Sequence, residues 1–214
     1  MNYCRIKPES FDIKKILSPE DLDRMKFKSF YKGAILYYQN SIKLIILKKG
    51  KAKAVFYDNG DVFTLYYLVK NNIFVLEENS VVEFLEDSEV YILDAKVCSK
   101  LFKNLEFANL VLTSMVKSLE IEREIIKNLV FNDCKKRVIA FLVDVALSTG
   151  IKDENGILID LTMSISEFAD FIASKRQTVS SILNELIKEG IIYKLDSTKY
   201  IIRDINKLKR YLSS

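Results

Sequence analysis

Seven of the eight side chains in Ser174-Lys175-Arg176-Gln177-Thr178-Val179-Ser180-Ser181 are cationic or hydrogen-bonding, and no acidic residue follows until Glu185. Arginine can hold guanine O6 and N7 with two N–H groups, and glutamine can pair with adenine N6 and N7. The hydroxyls of Thr178, Ser180 and Ser181 suit phosphate oxygens or base edges, and Asn184 extends the same face. This chemistry is recognition of a polar, anionic surface. Bond-making chemistry is not expected. The chain has no histidine, the commonest acid–base group and metal ligand. It also shows no phosphate-binding glycine loop and no nucleophile paired with a base, so an enzyme is not expected.

Two short helices must position these residues. Ser164-Ile165-Ser166-Glu167 has the form of a capping box, and Phe168, Phe171 and Ile172 then share one helical face. Small Ala169 lets a neighbour pack close. Ala173 and Ser174 make the corner, with Ser174 expected to cap the second helix and Gln177 in capping-box position. That helix should bury Val179, Ile182, Leu183, Leu186 and Ile187, leaving Lys175, Arg176, Gln177, Ser180, Ser181 and Asn184 outward. Gly190 ends it. Taken alone, two helices with a polar face are an ordinary hairpin. However, Ile191–Leu195 and Lys199–Ile202 read as strands around Asp196-Ser197-Thr198, and helix-turn-helix followed by a strand hairpin is a winged helix. Lys194 and Lys199 flank the wing tip, where they can meet phosphates.

The stretch from Phe131 to Tyr200 resembles the DNA-binding domain of the cyclic-AMP receptor protein/fumarate-nitrate regulator (Crp/Fnr) family. The residues that carry the likeness are Asp133 to Leu142, Ser164 to Ala169, and Arg176 to Leu183. The resemblance implies that Arg176 contacts guanine. Gln177 stands where many members have Glu, and Ser181 where some have a base-contacting Arg. It also implies an activator or repressor of transcription whose partners are double-stranded DNA, a second copy of the chain and RNA polymerase. In such a homodimer, two recognition helices would meet a palindromic site with half-sites about one helical turn apart. A winged-helix module that binds protein instead of DNA is the alternative, and salt-sensitive duplex affinity separates the two.

The 214 residues suffice for two small domains, about half of them apolar, with net charge +4 and a mildly basic pI near 8.7. Charges break up residues 1–20, so no signal peptide is expected. No apolar run approaches the roughly 20 residues of a membrane helix, and a cytoplasmic protein without membrane contact is expected. Cys4, Cys98 and Cys134 are far apart. They are expected to be reduced thiols and to hold neither a zinc site nor an iron–sulfur cluster, which usually needs four cysteines.

The first half reads as a short leading helix, a second helix from Ser18-Pro19-Glu20, and then strands. The strand-like runs are 33–38, 43–47, 52–57, 62–68, 73–76, 81–85 and 89–93, rich in β-branched and aromatic residues. Such spacing suggests a small barrel or roll, and this half resembles the family's sensor roll. Members that bind cyclic nucleotide carry Gly-Glu followed by Arg-Ser or Arg-Thr. Here 69–92 contains neither glycine nor arginine, and Lys70 faces Glu77, Glu78, Glu83, Glu86, Asp87 and Glu89. Cyclic AMP is therefore not expected. The candidate signals are a small apolar molecule among the roll's aromatic residues, haem with a diatomic gas, thiol oxidation, or no ligand. Haem ranks low, because without histidine its axial ligand would have to be Cys, Met, Tyr or a terminal amine.

Residues 104–130 return to helical period. Leu105, Ala108, Leu112, Met115, Leu119, Ile126 and Leu129 fall on a heptad seam interrupted by Glu122, and Phe107, Val111, Ile121 and Ile125 form a second stripe. Two apolar stripes need two partners, so one is assigned to the roll and the other to a dimer. The expected fold class is α+β. A sensor β-roll (cupin-like and cyclic-nucleotide-binding-like) spans 1–103, a dimerisation helix and hinge 104–131, and a winged helix-turn-helix domain 132–214.

Overall fold

In the computed structural model residues 11–58, 61–78 and 80–213 are described. They form two compact units, one up to Glu124 and the other from Ile125 onward. The division falls inside a single helix, so the expected middle segment is shared between the units.

In the first unit, α1 (Ile13–Ile16) is capped by Asp12 and α2 (Pro19–Asp23) by Ser18, with proline at its first position. Ser18-Pro19 separates the two helices as expected, since proline is favoured at a helix start and cannot continue a preceding one. Residues 1–10 of the expected leading helix lie outside the described residues. Eight strands follow: β1 (Lys26–Phe30), β2 (Ile35–Tyr37), β3 (Lys43–Lys49), β4 (Ala52–Asp58), β5 (Asp61–Leu68), β6 (Ile73–Leu76), β7 (Val81–Phe84) and β8 (Ser88–Leu93). They make two antiparallel four-stranded sheets, ordered β1-β8-β3-β6 and β2-β7-β4-β5. Aromatic pairs join the sheets: Phe30 stacks on Phe84 with ring centroids 4.4 Å apart, and Tyr66 meets Phe74 edge-on at 5.9 Å.

β3 shows why its sequence is a continuous apolar run. Leu44 and Ile46 face a cluster with Ile13, Leu17, Leu101, Phe107 and Val111, which come from helices. Ile45 and Leu47 point the other way, and all four are buried. The helices in that cluster include α3 (Ala95–Leu101), capped by Asp94, and α4 (Leu105–Phe131). Phe107 and Val111 thus pack on the roll, as the second stripe requires. Leu105, Leu112, Met115, Leu119, Ile126 and Leu129 are exposed, with Ala108 half-buried. No helix among the described residues is long and apolar enough to cross a membrane.

The second unit continues from α4 through α5 (Cys134–Ser148), β9 (Ile151–Asp153), β10 (Gly156–Asp160), α6 (Ile165–Phe171), α7 (Arg176–Lys188), β11 (Ile192–Lys194), β12 (Lys199–Ile202) and α8 (Ile205–Ser213). Its sheet runs β11-β12-β10-β9 and is antiparallel throughout. Phe141 of α5 sits between Phe168 and Phe171 of α6, at 4.6 and 5.4 Å. That contact buries the apolar face of the first helix of the pair.

Candidate nucleic-acid interface

Local chemistry places α6 and α7 almost as expected. Ser164 Oγ accepts the Glu167 N–H at 3.2 Å, and the Glu167 carboxylate accepts the Ser164 N–H at 2.8 Å, a complete capping box. The chain then turns at Ala173, whose φ of +54° is the left-handed conformation. This value is uncommon for a residue with a Cβ. α7 ends on a Schellman arrangement. Gly190 takes φ +69°, its N–H donates to the Ile187 carbonyl, and the Ile191 N–H donates to the Leu186 carbonyl.

One expectation fails at the corner. Ser174 does not cap α7. The cap position is Lys175, which makes no side-chain cap bond. The Ser174 hydroxyl instead lies 3.0 Å from Cys134 Sγ, because α5 brings the thiol to the corner. Ser174 is accordingly half-buried, and so is Ser180. Lys175, Arg176, Gln177, Thr178, Ser181 and Asn184 are exposed. Val179, Ile182, Leu183 and Leu186 are buried, while Ile187 is only partly covered. The first turn of α7 contains no acidic residue.

Lys194 and Lys199 stand exposed on the two strands of the wing, paired through the Lys194–Tyr200 register. Between them, the Asp196 carboxylate accepts the Thr198 and Lys199 N–H groups, each at 2.8 Å. These bonds shape the turn and hold the Asp196 carboxyl below its ordinary pKa. Lys199 Nζ lies 4.0 Å from that carboxylate, whereas Lys194 has no anionic partner among the described residues.

Residues 136–211 match the profile of the Crp-like helix-turn-helix domain. A global nitrogen regulator of Synechococcus elongatus is 24% identical over 78% of this chain and 82% of that one. An anaerobic regulatory protein of Bacillus subtilis is 27% identical over 58% of this chain and 53% of that one. A solved CooA mutant from Carboxydothermus hydrogenoformans superposes with a TM-score of 0.79 at 25% identity, over 96% of this chain and 98% of that one. The likeness is to Crp/Fnr regulators, with the family's helix-turn-helix domain at residues 136–211.

These similar proteins are transcription regulators and not enzymes, and this chain has the expected α+β plan of roll, long helix and helix-turn-helix domain. Three further residues of this unit bear on the interface without having been expected from the sequence. Lys188 is exposed and lies seven residues after Ser181 and eleven after Gln177, on one line of α7; helical counting could have found it. Lys135 Nζ donates to Glu185 Oε1 at 2.9 Å, which pairs the acidic residue nearest the recognition face and raises the lysine pKa. Arg137 donates from Nε to the Ile172 carbonyl at 3.0 Å, from Nη1 to Asn132 at 2.8 Å and from Nη2 to Ala173 at 3.2 Å. No local spacing announces the last two.

Of the cysteines, Cys98 and Cys134 are free thiols and half-buried, and Cys4 lies outside the described residues. Burial pushes the Cys98 thiol pKa up. Among the described residues no group of three His, Cys, Asp or Glu side chains could hold a metal ion.

Proposed function

We propose that this regulator binds a palindromic duplex operator as a homodimer, inserting the first turn of α7 into the major groove. The observation that carries the proposal is the division of α7. Its inner face is buried against the rest of the domain, and its N-terminal turn exposes Lys175, Arg176, Gln177 and Thr178 and contains no acidic residue of its own. Arg176 suits guanine and Gln177 adenine. Lys188 and the wing's Lys194 flank that face with positive charge for phosphates.

The exposed stripe of α4 supplies the second copy's contact. Phe107 and Val111 of its other stripe are already packed on the roll, and a helix rarely leaves a long apolar line open to water. RNA polymerase is the downstream partner. The roll accepts neither cyclic nucleotide nor an iron–sulfur cluster. Its acidic, arginine-free segment repels a cyclic phosphate, and three scattered cysteines cannot supply four ligands.

Selection from a random duplex pool tests the proposal. A two-fold symmetric consensus should emerge, and log affinity should fall with log salt by about 0.9 per neutralised phosphate. Enrichment of no duplex, or salt-independent binding, would point to a module that binds protein.

A further inference from the structure

Three side chains from the first turn of α5 hold the helix-turn-helix. Cys134 meets the corner at Ser174, Lys135 pairs with Glu185 on α7, and Arg137 spans two segments. The Arg137 contacts are of a different kind. Asn132 is the first residue after α4, whereas Ile172 is the C-cap of α6 and Ala173 the left-handed corner. Carbonyls at a helix end have no partner in the helical ladder. One planar guanidinium, with five N–H donors in a fixed fork, satisfies all three at once.

Resting on the DNA-binding reading above, we propose that Arg137 is a positioning residue. It ties the corner that launches the recognition helix to the exit of α4, and so sets the separation and angle of the two recognition helices in the dimer. Displacing α6 and α7 relative to Asn132 would stretch at least one of its three bonds, which are all between 2.8 and 3.2 Å. Lysine cannot take the role, because a single ammonium on a flexible stem cannot reach three carbonyls in a fixed plane. Arg137 itself does not touch DNA. Its effect is on geometry between half-sites and not on chemistry within one.

The test uses the full chain, the consensus selected for the wild type, and the Arg137→Lys and Arg137→Met variants, each checked for folding by circular dichroism at the assay temperature. Affinity is measured on three duplex sets: the operator, operators with one base pair added to or removed from the spacer, and a single half-site. One base pair turns one half-site by about 35° relative to the other, so a rigid dimer discriminates sharply between spacers. Both variants are expected to lose about tenfold of that spacer discrimination while binding the single half-site within about threefold of wild type, because geometry alone decides whether both sites engage together.

A purely structural role predicts lowered stability with an unchanged spacer profile, which would overturn the proposal. So would an Arg137→Lys chain with the wild-type profile, since charge alone would then suffice. If Arg137→Met does not fold, the lysine variant decides. A wild-type chain that selects no site overturns the DNA-binding reading beneath the proposal, a failure seen before any variant is compared.

Discussion

Replacing Leu112 and Leu119 together with glutamate should convert the dimer to a monomer. Leu112 is 61% exposed and Leu119 49% in the single chain. Full burial of a leucine is worth about 1.5–3 kcal/mol, so covering the open half of each is worth roughly 0.8–1.5 kcal/mol. Two residues on each of two chains give about 3–6 kcal/mol of lost association. At about 1.4 kcal/mol per decade this weakens the dimer by roughly 10²- to 10⁴-fold. Four carboxylates brought together on the seam add desolvation and repulsion in the same direction. Sedimentation velocity at micromolar concentration should show one monomeric species with unchanged helix and strand content by circular dichroism. Operator affinity should fall as well, because two linked half-site contacts become one. A double variant that sediments as a dimer would refute the assignment and place the assembly surface elsewhere.

Arg176→Ala should cost about 1–3 kcal/mol at the operator and relax the preference at one base position, leaving non-specific affinity nearly unchanged; competition binding against single-base operator variants reads both. Gln177→Glu should exchange an adenine preference for a cytosine one at the position it faces, since a carboxylate accepts from cytosine N4, and repeating the site selection with the variant checks this. Ser164→Ala breaks the capping box of α6 and should destabilise the protein by about 1 kcal/mol. For a unit of this size that is roughly 4–8 °C in thermal unfolding, with no change in base preference. Titration calorimetry with cyclic AMP should give no binding heat, and a micromolar affinity would show that the roll holds the phosphate by residues outside the expected motif.

Much of this protein was legible because its signals are local. The capping box at Ser164, the burial period of α7, Gly190 at a left-handed helix end and the paired strands of the wing each depend on residues within a few positions of one another. The two stripes of α4 were legible for the same reason. Phe107 and Val111 went to the roll, while Leu112, Met115 and Leu119 remained open.

Other features came only with the tertiary structure. β1, Lys-Phe-Lys-Ser-Phe, is mostly exposed and carries a weak strand pattern. It is a strand because β8 offers it a full register from Lys26–Ile92 to Phe30–Ser88. α3 and α8 were also unforeseen, short helices at the ends of sheet strands. Ser174 carries every local mark of a helix cap, yet its hydroxyl meets a thiol 40 residues away in the chain. In the sequence Arg137 is one of three successive cations, Lys135-Lys136-Arg137, and its three carbonyl partners lie as far as 36 residues off. Sequence by itself determined the strongly patterned helices and strands and the faces they bury, since backbone propensity and apolar periodicity act over one or two turns. Tertiary structure alone decided weakly patterned elements such as β1 and which polar side chains are consumed in holding the segments together, because a hydrogen bond depends on where two distant atoms meet and leaves no period in the chain.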